Sequence, residues 1–131
     1  MPPLPPRRES AQKLQILVVE DNLINQEVAL ALLETLECEC TVANNGLEAV
    51  AALTQPHQFD LVLMDWHMPV MDGLEATRHI RMLPGRGAHI PIVALTANVL
   101  DDQREQCLGV GMNDVLTKPI SRSMLTSTLA Q

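Results

Sequence analysis

Leu14-Gln15-Ile16-Leu17-Val18-Val19 is a short apolar run that stops on Glu20-Asp21-Asn22, and the segment after it, Ile24 to Leu36, carries apolar residues at helical period. A run of this kind, bounded by turn residues and rich in β-branched side chains, reads as a strand buried on both faces. The pairing recurs five times. Strands are expected at Leu14–Val19, Cys40–Ala43, Leu61–Asp65, Ile92–Thr96 and Val115–Thr117, and helices at Ile24–Leu36, Leu47–Leu53, Leu74–Met82, Asp101–Leu108 and Arg122–Leu129. Asn44-Asn45-Gly46 turns into the second helix, Asp72-Gly73 opens the third, and Gly109 with Gly111 closes the fourth. With right-handed crossovers this alternation gives an α/β fold, a doubly wound parallel sheet covered by helices on both faces.

In the first helix, Val28, Ala29, Leu32, Leu33 and Leu36 share one arc at about 100° per residue and are expected to face the sheet. Leu30 then falls on the outer side among Gln26, Glu27 and Glu34; a lone exposed leucine usually carries no role, and the sharper alternative is a docking contact for a partner helix.

The chain has 131 residues, 47% of them hydrophobic, and a formal net charge of −7. That is one core, and too apolar a chain for wholesale disorder. The acidic balance argues against a nucleic-acid surface, which selects clustered Lys and Arg. No apolar run approaches the ~20 residues that cross a bilayer. Cys38, Cys40 and Cys107 are an odd set with no secretion signal before them, which points to buried thiols in a reducing compartment. Met1 to Gln12 holds four of the nine prolines and reads as a Pro-rich linker or tail, leaving 13–131 as the folded domain.

Ligands of doubly wound sheets bind outside the carboxyl ends of the strands, so the residues that end each apolar run matter most. The first run ends in Glu20-Asp21, the third in Asp65, the fourth in Thr96 and the fifth in Thr117-Lys118. Carboxylates gathered on one edge repel one another unless a cation neutralises them. An all-oxygen donor set favours Mg²⁺ or Mn²⁺, and Mg²⁺ is usually completed by a phosphate oxygen. Asp65 is the candidate nucleophile toward phosphorus, with Thr96 and Lys118 to spread charge on the phosphoryl oxygens. Any one of these residues alone reads as a helix cap or a solvated charge; several strand ends delivering complementary groups to one edge is what points to a site.

These residues carry a family signature. Val18-Val19-Glu20-Asp21-Asn22 with Asn25-Gln26, Leu63-Met64-Asp65, Met68-Pro69-Val70-Met71-Asp72-Gly73-Leu74-Glu75-Ala76-Thr77, Ala94-Leu95-Thr96-Ala97, and Gly111-Met112-Asn113-Asp114 before Lys118-Pro119 closely resemble the receiver domain of two-component response regulators, most of all receivers fused to hybrid sensor histidine kinases. The resemblance covers Leu14 to Leu129. It implies a flavodoxin-like (βα)5 fold with strand order 2-1-3-4-5. It also implies that Asp65 accepts a phosphoryl group from a phosphohistidine on a histidine kinase or histidine phosphotransfer domain. By the same resemblance Asp21, Asp65 and the backbone carbonyl of His67 hold Mg²⁺, and Glu20 holds it through water. Thr96 bonds the phosphoryl oxygen and Lys118, before a cis Pro119, pairs with it. A cytoplasmic location follows, in a parent chain that is itself a membrane-anchored kinase, with no direct membrane contact by this domain.

One position departs from the family. Three residues before the lysine many receivers carry a Tyr or Phe that turns inward on activation, and here Val115 stands. A β-branched side chain makes no such swing, so a relay station is expected rather than an output switch. The haloacid-dehalogenase-like phosphatases, which also use an Asp nucleophile with Mg²⁺, resemble one another in a second acid two residues after it, where this chain has His67. The remaining alternatives are a binding-only pseudo-receiver and a free-standing single-domain response regulator acting through protein contacts.

Overall fold

The computed structural model describes residues 14–54, 59–66, 68, 70–83, 89–96, 101–117 and 121–129. The arm expected at 1–12 lies outside them. Five strands alternate with five helices: β1 Gln15–Val19, α1 Leu23–Thr35, β2 Glu39–Ala43, α2 Gly46–Thr54, β3 Leu61–Asp65, α3 Gly73–Arg81, β4 Ile92–Thr96, α4 Asp101–Gly109, β5 Asp114–Thr117 and α5 Arg122–Leu129. The strands form one sheet in the order β2-β1-β3-β4-β5, and every neighbouring pair is parallel. The expected elements are all present, each end within one residue of its expected place.

Burial follows position in the sheet. All five residues of β3 and of β4 are buried, as is β1 beyond Gln15, because helices cover both faces and no side of a central strand meets water. The edge strands β2 and β5 are only partly covered. One face of the sheet, carrying Leu17, Val62, Met64 and Ala94, packs on α2, α3 and α4 through Ala49, Ala76, Ile80 and Cys107. The other, carrying Ile16, Leu63 and Val93, packs on α1 and α5 through Ala29, Leu33 and Leu125. Val115 is buried in the first of these cores.

The helix ends are set by local chemistry. Asn22 caps α1 by accepting from the Asn25 amide at 3.0 Å, Asn45 accepts from the Glu48 amide at 2.8 Å at the start of α2, and Asp72 accepts from the Glu75 amide at 2.9 Å at the start of α3. Gly111, at φ +108°, closes α4, with the Met112 amide returning to the Cys107 carbonyl at 3.0 Å. The same motif ends α1, but there the left-handed residue is Glu37, φ +62°. At the far end of α3, Arg81 donates to the carbonyls of Ile90 and Gly111 and to Asn113 Oδ1, and so ties that helix to the turns before β4 and β5.

The expected arc of α1 faces the sheet through Ala29, Leu32, Leu33 and Leu36, with differences at its edges. Gln26 is buried beside Ala29 and Leu33, while Val28 is 44% exposed. Leu30 is half-buried, so it offers no outward docking contact; Leu23 and Ile24, 69% and 70% exposed, stand out instead. The buried face thus extends to Gln26 rather than to Val28, and the Gln26 Nε2 is hydrogen-bonded there to the Glu20 carbonyl and Asn44 Oδ1. Cys38 and Cys107 are buried free thiols as expected, and Cys40 is half-buried. His79 and His89 lie at the surface.

Candidate metal centre

The strand order reverses between β1 and β3, so the chain leaves these two neighbours toward opposite edges of the sheet and opens a crevice beyond their carboxyl ends. The residues that end β1 and β3 lie in that crevice. Val19 pairs with Met64, which sets Glu20 level with Asp65 on adjacent strands that run about 4.8 Å apart. Ligand atoms of Glu20, Asp21 and Asp65 all lie within 4.8 Å of one another. Glu20 and Asp65 are 3% and 5% exposed, whereas Asp21 is open to solvent.

Hydrogen bonds hold this corner from three sides. The Glu20 carboxylate accepts through Oε2 from the Asn22 amide at 3.1 Å and from Asn25 Nδ2 at 3.4 Å. Its own amide donates to the Ala43 carbonyl at 3.0 Å, the Trp66 amide to Leu95 at 3.0 Å, and the Gly73 amide to the Trp66 carbonyl at 2.8 Å. Gly73 is there because nothing larger fits: a Cβ on it would stand 2.6 Å from the Asp65 carbonyl oxygen. Gly46 is equally confined, with a Cβ 2.6 Å from the Met71 carbonyl oxygen.

Of the residues singled out in the sequence, the structure brings together Glu20, Asp21 and Asp65. It sets Thr96 at the end of β4, 2% exposed, one residue beyond the Leu95 that pairs with Asp65. His67, Lys118 and the Lys118–Pro119 bond lie outside the described residues. Sequence reasoning missed Gln26, whose Nε2 donates to the Glu20 carbonyl at 2.6 Å and to Asn44 Oδ1 at 2.8 Å. The signal was available, since Gln26 falls on the same stripe as Ala29 and Leu33 at helical spacing.

The donor set decides what the site suits. Unit charges 4.8 Å apart repel by about 3 kcal/mol at an effective dielectric of 20. Burial keeps that repulsion strong between Glu20 and Asp65, while solvent screens Asp21. A cation between them removes that repulsion, and carboxylate oxygens without thiolate or imidazole suit a hard divalent ion. Among the described residues this is the group with that capacity.

The profile of the response regulator receiver domain matches residues 16–130, and the chain belongs to that family. Among curated relatives it is 37% identical over 152 aligned residues to the probable histidine kinase 1 of Oryza sativa subsp. indica, covering 93% of this chain and 16% of the relative. To the sensor histidine kinase RcsC of Salmonella typhimurium it is 38% identical over 122 residues, again 93% of this chain but 12% of the relative. The chain thus spans less than a fifth of either kinase. Among solved structures, the receiver domain of the sensor histidine kinase PA1611 from Pseudomonas aeruginosa, with a magnesium ion coordinated in its active-site cleft, is 44% identical with a TM-score of 0.82, covering 90% of this chain and 95% of that one. The receiver domain of the Saccharomyces cerevisiae response regulator Ssk1, in co-crystals with the histidine phosphotransfer protein Ypd1, is 32% identical with a TM-score of 0.79, covering 90% and 87%.

Proposed function

We propose that this chain is a phosphorelay acceptor, taking a phosphoryl group from a phosphohistidine onto Asp65 in a Mg²⁺-dependent step, and that it forms part of a hybrid histidine kinase. The observation that carries the reading is the meeting of Glu20, Asp21 and Asp65 at the sheet's switch point. A carboxylate oxygen of Asp65 attacks phosphorus, the P–N bond breaks, and its electron pair returns to the imidazole nitrogen, which takes up a proton. Thr96, at the end of β4, donates its hydroxyl to a phosphoryl oxygen, and Lys118, which follows Thr117 in the sequence, pairs with the charge. Asp21, Asp65 and the His67 carbonyl, with Glu20 through water, would hold Mg²⁺, which would supply neutralisation of the charge on the phosphoryl oxygens; Mn²⁺ would suit the same donors.

The partner is a histidine kinase or histidine phosphotransfer domain, and the chain acts on the cytoplasmic side. Leu23 and Ile24 in the first turn of α1 and Val70 in the loop after β3, all exposed on segments that leave the metal centre, suit the apolar surface of such a partner. The net charge of −7 supports a protein partner over nucleic acid. Among the described residues no helix is long and apolar enough to cross a membrane. Val115, already packed in the core, supports a relay role over an output switch that works by an aromatic swing. Incubation with acetyl phosphate or a phosphorylated histidine protein plus Mg²⁺ tests the proposal. Label is expected on the intact chain and is lost in Asp65→Ala and on chelation of the metal; label retained by Asp65→Ala refutes it.

A further inference from the structure

We infer that Gln26 is a positioning residue for the metal centre, acting on the peptide unit that joins Glu20 to Asp21; the inference rests on the Mg²⁺ reading above. Side chains of consecutive residues in an extended strand point to opposite faces. Glu20 and Asp21 are consecutive, yet both bring a carboxylate oxygen within 4.8 Å of Asp65. The chain must therefore turn between them, and the orientation of the peptide plane between them sets both Cα–Cβ directions.

Gln26 holds that plane. Gln26 Nε2 donates at 2.6 Å to the Glu20 carbonyl, the oxygen of the Glu20–Asp21 peptide itself. The second hydrogen of the same NH₂ goes to Asn44 Oδ1 at 2.8 Å. Asn44 is anchored in turn, its amide and its Nδ2 both donating to Glu48 Oε1 at 2.8 and 3.2 Å at the start of α2. The clamp thus spans the loops after β1 and β2. Gln26 is 7% exposed on a helix face otherwise packed with Ala29 and Leu33. A buried polar group on an apolar face is costly unless both donors are used, and here both are. The chemistry requires two donors on one atom at this reach, which an apolar side chain of equal length lacks.

Groups that orient metal ligands typically change metal affinity by about 10–100-fold when removed. Gln26→Met keeps the side chain's length and deletes both donors. Mg²⁺ is titrated against the fluorescence of Trp66, the residue after Asp65, which is 6% exposed. Metal-free melting temperatures are recorded in parallel. Gln26→Met is expected to weaken Mg²⁺ binding about tenfold or more. Asn44→Ala, on an exposed residue, removes the second anchor and is expected to weaken it by a smaller factor. Leu33→Val, in the core on the same helix, is expected to lower the melting temperature and leave the affinity unchanged.

Should Gln26→Met fail to fold, Asn44→Ala carries the test. Unchanged Mg²⁺ affinity in the folded variants overturns the inference, and so does a loss that follows melting temperature through Leu33→Val as well. A wild-type chain with no saturable Mg²⁺ response overturns the metal centre along with it. A wild-type response that Asp65→Ala abolishes and Gln26→Met preserves sinks only the role of Gln26.

Discussion

Replacing Gly73 by alanine places the first residue of α3 in direct conflict with the end of β3 that carries Asp65. The added Cβ would stand 2.6 Å from the Asp65 carbonyl oxygen and 3.1 Å from both Met64 Cγ and the Trp66 Cα. A carbon–oxygen contact settles at about 3.3–3.6 Å, so α3 and the end of β3 must separate by roughly 0.7 Å. Met64 can move its side-chain end; the Asp65 carbonyl is backbone and yields only if the strand end shifts with it. Overpacking of this kind costs about 1–3 kcal/mol, against which alanine's better helix propensity returns less than ~1 kcal/mol. The net loss, about 1–2 kcal/mol, corresponds to a melting temperature lower by about 3–10 °C for a domain of this size. Because the strand end that moves carries Asp65, label from acetyl phosphate should also fall by about tenfold or more, since misplacement by ~1 Å can cost ~100-fold. Gly109→Ala is the paired control. Nothing lies within 4 Å of its added Cβ, so the same substitution in α4 should stabilise by about 0.4–1 kcal/mol and leave labelling unchanged. Thermal melts without Mg²⁺ and labelling rates with it check both. A Gly73→Ala protein that melts at or above the wild type and labels at the same rate would refute the close-approach argument.

Arg81→Met should destabilise by about 1–3 kcal/mol in chemical denaturation, because the carbonyls of Ile90 and Gly111 and the Asn113 amide oxygen lose a shared donor; Arg81→Lys should recover little, since an ammonium cannot serve all three. Val70→Gly should stabilise by roughly 0.5–1 kcal/mol, since a β-branched residue at φ +72° gives up a left-handed penalty of about 1–2 kcal/mol against glycine's greater loss of chain entropy. A Val70→Gly variant less stable than wild type would show that this loop is not strained. The Cys40 thiol is pushed up to about 11, by burial first and then by Cys38 and Glu34. The native chain therefore keeps a proton that the unfolded thiol, near ~8.5, gives up. Stability from this group is complete below the unfolded value and is lost as pH rises toward about 11. Cys40→Ala should flatten that decline in melts, and iodoacetamide should label Cys40 more slowly in the native chain than in urea at pH ~9.

The order of elements was legible because a parallel sheet writes its central strands as unbroken apolar runs, and Leu61 to Asp65 or Ile92 to Thr96 have no other place to bury nearly all of their surface. The carboxylates were legible for a related reason: each directly ends such a run, so the strand's own geometry carries Glu20 and Asp65 to one edge. The broad inner face of α1 was legible as well, through Ala29, Leu32, Leu33 and Leu36, but its edges were not. Val28, counted on that face, is 44% exposed, and Gln26, counted outside it, is buried, held by partners, Glu20 and Asn44, that come from the loops after β1 and β2. The turn that lets Glu20 and Asp21 share one site, and the lack of room beside Gly73, likewise arise from contacts between segments distant in the chain. Sequence determines what a local stretch must bury and which chemistry ends it; where two stretches meet, hydrogen bonds and excluded volume that neither contains alone set the final geometry.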